Sequence, residues 1–236
     1  MKLLKSLIIP LLFLLLFSAG DIDAENKMKI PLVEGYDNPS FQIENTTVEP
    51  VRLYIQDKPY SDSSVTVFLE MKIAENDQQH STYLNYWEIN TSGLKENYPK
   101  AFGKHLFSLE VNETKGKAEV FLIVEENDFG KPFFLELNQK TMIDSLVISF
   151  DMSVTGRGSR NADEAFHDIG MGWIKLSANG EEETITFDSD ELFDKKRLSF
   201  DWKEYRMWIL AYPETSVQLK VERSCPNPKT AGRFKN

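Results

Sequence analysis

The residues able to do chemistry in this chain are few and scattered. There are three histidines, His80, His105 and His167, and one cysteine, Cys225. No G-x-S-x-G elbow, no H-E-x-x-H helix and no phosphate-cradling glycine loop occurs, so the usual signatures of acyl transfer, zinc hydrolysis and nucleotide binding are missing. His167 and Asp168 are adjacent, but neighbours on a strand point to opposite faces, which does not make them a base and its orienting acid. A single thiol allows neither a cysteine metal knuckle nor an intramolecular disulfide. Two carboxylates can hydrolyse a glycoside, yet among 37 acidic residues no pair stands out. These absences argue against an enzyme, and no residue is assigned a catalytic role.

Binding chemistry is easier to place. The stretch Thr155 to Gly172, TGRGSRNADEAFHDIGMG, puts Arg157 and Arg160 together in an otherwise acidic chain and follows them with Asp163, Glu164 and Asp168. Read as a connection between two strands, it is longer than ordinary loops, and such loops often carry function. Its arginines suit an acidic or hydrogen-bonding partner, and its acids suit a cation. Alternatively, arginines and acids satisfy one another at the surface. A second candidate is the aromatic C-terminal third, with Trp173, Trp202, Tyr205, Trp208 and Tyr212. Trp202 and Trp208 lie among charged residues and are candidates to stack on a sugar or anchor a protein. Asp188-Ser189-Asp190-Glu191 is an acidic cluster without the glycine and closing glutamate of a helix–loop–helix calcium loop, and it reads as a solvated face.

Residues 146–176 carry one family likeness. Leu146-Val147-Ile148-Ser149-Phe150-Asp151, a polar loop, Asp168-Ile169-Gly170 and an Ile174-x-Leu176 strand resemble the penultimate loop region of the calcium-dependent C2 sandwich. Such sites usually carry a second acid two residues after the first, and here that place is Ser153. The resemblance therefore implies sandwich topology more than calcium binding. Calcium is the only cofactor it raises, with Asp151, Asp163 and Asp168 as the ligands to test.

The compartment is read from residues 1–24. Lys2 and Lys5 precede an apolar run from Leu7 to Phe17, and small residues Ser18, Ala19 and Gly20 follow, the pattern of a secretory signal peptide. The run is shorter than a bilayer span, and no later apolar segment reaches spanning length. An exported protein, periplasmic or secreted, with no stable membrane span is expected. The leader holds two lysines and two aspartates, so the rest of the chain keeps the full net charge of −10. That charge repels nucleic-acid phosphates and favours a cationic protein partner. The lack of disulfides in an exported chain favours a bacterial envelope over an animal extracellular space.

Period-2 alternation dominates the remainder. Val51, Leu53 and Ile55 alternate with Arg52, Tyr54 and Gln56. Val65, Val67, Leu69, Met71 and Ile73 share one face of the next strand, and Asp62-Ser63-Ser64 turns between the two. Residues 74–81 read as a polar loop. Further strands are expected around Tyr83 to Ile89, Phe107 to Val111, Val120 to Val124, Leu146 to Val154, Ile185 to Phe187 and Val217 to Val221. Asn179-Gly180 marks a two-residue hairpin. Asp190 to Ala211 fits either a helix or two strands joined near Lys203-Glu204, and the aromatic content favours strands.

The expected fold is all-β, an antiparallel β-sandwich of roughly ten to twelve strands. The organisation is a signal peptide at 1–24, a single domain at 25–223 with any subdivision falling near 91–103, and a polar tail at 224–236. The expected function is that of a non-enzymatic binding protein of the cell envelope or periplasm, of inhibitor or immunity type, that holds another protein. The alternatives are a carbohydrate-binding or hydrolytic protein using the C-terminal aromatics, and a C2-like calcium-dependent membrane or adhesion module.

Overall fold

The computed structural model describes residues 27–57, 63–75, 78–89, 94–114, 117–158, 167–213 and 215–224. The expected signal peptide at 1–24, Cys225 with the rest of the tail, and Arg160, Asp163 and Glu164 lie outside the described residues. The strands in chain order are β1 (Lys27–Leu32), β2 (Phe41–Ile43), β3 (Thr46–Asp57), β4 (Ser63–Glu75), β5 (Gln78–Ile89), β6 (Leu94–Glu96), β7 (Lys100–Phe102), β8 (His105–Thr114) and β9 (Lys117–Glu126). They continue as β10 (Pro132–Glu136), β11 (Gln139–Ile143), β12 (Leu146–Gly158), β13 (His167–Ala178) and β14 (Glu181–Asp188). The helix α1 (Ser189–Lys195) precedes β15 (Leu198–Trp202), β16 (Tyr205–Ala211) and β17 (Ser216–Arg223).

The chain is all-β with one helix among the described residues. Among the described residues the strands number 17 rather than ten to twelve. Phe41 and Ile43, which suggest one short strand in the sequence, are the ends of β2; the extra strands are short, with three residues in β6 and β7 and five in β10 and β11, too few for alternation to show plainly.

Two compact units divide the chain. One takes the described residues up to Asn97 together with Phe107–Glu126, and the other takes Tyr98–Leu106 together with the described residues from Asn127 onward.

In the first unit, strands in the order β2-β3-β4-β5-β6 form a five-stranded antiparallel sheet, and β1, β9 and β8 lie side by side. One face of the five-stranded sheet is apolar and buried: Val48 and Leu53 from β3, Val65, Val67, Leu69, Met71 and Ile73 from β4, and Leu84 and Tyr86 from β5. The hairpin between β4 and β5 is tight, because Glu75 faces Gln78. Residues 74–81, expected as a loop, mostly extend the two strands. Backbone pairing there continues past the last buried apolar side chain, so polarity was a poor guide to where the strands end.

In the second unit, β7, β10, β17, β16 and β15 are neighbours in that order, and β11-β12-β13-β14 form a four-stranded antiparallel sheet. Phe133, Leu135, Met207, Ile209, Val217 and Leu219 belong to the same buried cluster as Ile148, Phe150, Ile174, Leu176, Ile185 and Phe187 from the four-stranded sheet. Asn179 and Gly180 turn the β13–β14 hairpin with φ of 54° and 77°, the left-handed pair that a two-residue turn of this kind requires.

The segment from Asp190 to Ala211 holds both of the structures it was compatible with. Its first part is α1; Leu198 to Ala211 are β15 and β16, joined at Lys203-Glu204 with Trp202 facing Tyr205. The acidic cluster is the start of the helix. The Asp188 carboxylate accepts hydrogen bonds from the amides of Asp190 (2.7 Å) and Glu191 (3.2 Å), which otherwise have no helical partner. Lys195 pairs with Glu191 one turn back at 2.5 Å, and Lys196 closes the helix in a left-handed conformation. Asp188→Ala is expected to cost the second unit about 1 kcal/mol, read as a lower urea midpoint with an unchanged slope.

Candidate functional site

The outward face of the five-stranded sheet is built by a register shift. Val48 and Pro50 on β3 are both buried, so simple alternation would send Arg52 inward. A β-bulge intervenes. Pro50 faces Met71 while Arg52 faces Glu70, which leaves Val51 as the extra residue. Bulges re-aim side chains, and this one turns Arg52, Tyr54 and Gln56 outward while Leu53 takes the buried side. Facing rows then follow across β3, β4 and β5: Arg52, Glu70 and Tyr83 in one, Tyr54, Phe68 and Asn85 in the next, Gln56, Thr66 and Trp87 in the third.

Tyr36 joins this face from the edge. Gly35 makes two backbone hydrogen bonds with Leu53, each 2.9 Å, at a φ of +108° that an L side chain rarely adopts. The Arg52 guanidinium lies 5.3 Å from the Tyr36 ring centre. Phe68 and Tyr83 contact each other with centroids 5.0 Å apart and a 30° tilt. Tyr36, Tyr54 and Tyr83 are 65%, 46% and 43% exposed, whereas a tyrosine serving the core would be covered. Between the rings is a shallow depression of about 270 Å³ lined by Arg52, Tyr54, Phe68 and Glu70.

This face was missed in the sequence. Phe68 shares the outward side of β4 with the polar residues Thr66, Glu70 and Lys72. The available signal was Phe68, an aromatic residue on the wet side of a strictly alternating strand, since an apolar residue out of phase is more telling than one in phase. Its neighbours Tyr54 and Tyr83 lie far off in sequence, and only the register brings them together.

The residues singled out in the sequence fall elsewhere. Thr155 to Gly158 and His167 to Gly172 are not loop but the far ends of β12 and β13, which pair residue by residue. The pairing runs through Gly156, Gly158, Gly170 and Gly172 without interruption. The register sets Arg157 opposite Asp168 and Gly158 opposite His167. Asp151 is an exposed residue at the β12 bulge. It lies six residues from the Arg157–Asp168 pair, about 20 Å along the strand, so Asp151 and Asp168 are not brought together. Among the described residues no three His, Cys, Asp or Glu side chains are placed to share a metal ion.

Trp202 and Trp208 are engaged by cations of the same chain. Lys203 Nζ lies 4.9 Å from the Trp202 ring centre, and Trp202 also packs against the second unit's core beside Tyr205. Trp208 has Arg197 at 4.7 Å and Arg206 at 6.0 Å. Arg206 binds Asp201 through two hydrogen bonds, 2.6 and 3.0 Å. That contact holds the Asp201 carboxyl below the usual carboxylate range, against a smaller opposing effect of burial. A carboxyl lowered on folding contributes stability above its unfolded pKa, and the contribution is lost as the pH falls through the folded value. Asp201→Asn is therefore expected to lower the melting temperature slightly at neutral pH, and the difference should shrink as the pH falls below the ordinary carboxylate range and the folded carboxyl takes up its proton. The effect stays small because both side chains are largely exposed.

No helix among the described residues is long and apolar enough to cross a membrane. No family model, curated protein or solved structure matches the chain.

Proposed function

We propose that this chain is an exported, non-enzymatic binding protein of the cell envelope or periplasm, of inhibitor or immunity type, that holds another protein on the outward face of its five-stranded sheet. The observation that carries the reading is the exposed set Tyr36, Tyr54 and Tyr83 around Phe68, with Arg52 and Glu70 among them. Tyrosine, tryptophan and arginine are the residues that dominate protein interfaces energetically. The β-sandwich expected from sequence belongs to the same proposal. Its support is that strands of two sheets contribute to one buried cluster in the second unit. The signal-like leader supports export, and the −10 charge supports a cationic partner.

The test is comparative capture from extracts of the source cells. Residues 25–236 serve as bait beside a Tyr54→Ala/Tyr83→Ala variant and a Trp208→Ala variant. A protein retained by the wild type and by Trp208→Ala, and lost with the double variant, supports the reading. A protein lost only with Trp208→Ala moves the interface to the β16 face. Glycan retained in place of protein overturns the choice of partner.

A further inference from the structure

We propose that the depression in this face seats an arginine side chain of the partner, with Glu70 as its counter-ion and the Tyr54 and Phe68 rings as its walls. The inference rests on the reading that the face binds a protein, and it names the group that is bound.

The size of the depression selects the occupant. At about 270 Å³ it is a shallow, open depression, unlike the clefts and cavities that bury most of a small molecule's surface. A single long side chain fits it better. The lining carries two charges, the Arg52 guanidinium and the Glu70 carboxylate, and among the described residues only the second lacks a partner. Glu70 makes no hydrogen bond or ion pair among the described residues, although Arg52 stands opposite it on β3. Both neighbouring cations are turned elsewhere. The Arg52 guanidinium lies 5.3 Å from the Tyr36 ring, and Lys72 lies 3.9 Å from Glu49. A carboxylate therefore remains unpaired among aromatic faces.

That combination attracts a cation twice, by charge and by the ring quadrupoles. A guanidinium suits it better than an ammonium. It is planar, stacks on rings, presents two parallel donors to a carboxylate and is the less strongly hydrated of the two. The whole-chain charge of −10 draws a cationic partner toward the site from a distance.

The probe is a hexa-arginine peptide titrated into residues 25–236, with hexa-lysine and hexa-citrulline as comparators. Hexa-citrulline keeps the shape and removes the charge. Because any acidic protein attracts polyarginine, a second variant, Glu183→Gln, removes an equal charge from the exposed strand β14. Glu70→Gln is expected to weaken hexa-arginine binding about tenfold or more, as for the loss of a charged hydrogen-bonded pair, and Glu183→Gln less than twofold. Hexa-lysine should bind more weakly than hexa-arginine, and hexa-citrulline should not be affected by Glu70→Gln. Equal effects of the two variants, or no binding of hexa-arginine to the wild type, would overturn the seat. Neither result touches the broader reading, which falls only if the Tyr54→Ala/Tyr83→Ala variant captures the partner as well as the wild type does.

Discussion

Replacing Gly172 with valine is expected to destabilise the second unit by about 2–3 kcal/mol, the upper part of the usual range for overpacking a filled site. Gly172 faces Phe187 across the β13–β14 pair. A Cβ on Gly172 would sit 2.3 Å from Phe187 Cζ and 2.5 Å from its Cε1, so the tip of the ring fills the space over bare backbone. The ring has little room to retreat. Phe187 is only 2% exposed, and it meets Tyr212 edge-on at 5.1 Å, while Tyr212 meets Phe150 edge-on at 6.2 Å. Tyr212 is itself seated against Gly170, where a Cβ would meet its Cε1 at 2.5 Å, and its hydroxyl is hydrogen-bonded to Ser153. The two glycines of β13 are thus landing sites for two rings of one aromatic chain. Urea unfolding of Gly172→Val against the wild type gives the number. Adding Phe187→Leu to the valine variant should recover part of the loss, since the two changes act at one contact. A loss below about 0.5 kcal/mol, the usual range for a surface substitution, would mean that Phe187 does not occupy the space over Gly172.

The second large effect concerns binding. Tyr54→Ala with Tyr83→Ala is expected to weaken the partner's affinity by about 30-fold or more, equivalent to the roughly 2 kcal/mol that defines an interface hot spot. Stability should change little, because both rings are substantially exposed. Affinity and melting temperature measured on one preparation separate the two effects. A variant that loses affinity and stability together would place these tyrosines in the structure of the sheet. A variant that loses neither would remove the face from the interface.

Side-chain alternation made the strands legible, because each sheet has a wet face and a buried one. Val65 to Ile73 were readable as one face of β4, and Asn179-Gly180 as a turn, because those patterns are local. The turn at Lys203-Glu204 was local too, and it was read. What escaped depended on distant partners or on competing local signals. The helix α1 was hidden in a segment rich in aromatic residues, although Asp188 with Asp190 and Glu191 spells an N-cap. The ends of β12 and β13 looked like a loop because glycine and arginine are common there, and the rings that use Gly170 and Gly172 come from Tyr212 and Phe187. The binding face needed three facts at once: the bulge at Val51, the register of β3 on β4, and the register of β4 on β5. None of these is written in any one strand.

The measurement that tests the central claim most directly is site-specific photocrosslinking in extracts of the source cells. A photoreactive amino acid is placed at Tyr83 on the five-stranded face, and at Thr184 on β14 in a second sample. The account predicts a crosslink from position 83 to one basic polypeptide, absent from position 184 and abolished by Tyr54→Ala. Crosslinks of equal yield from both positions, or from position 184 alone, would contradict it.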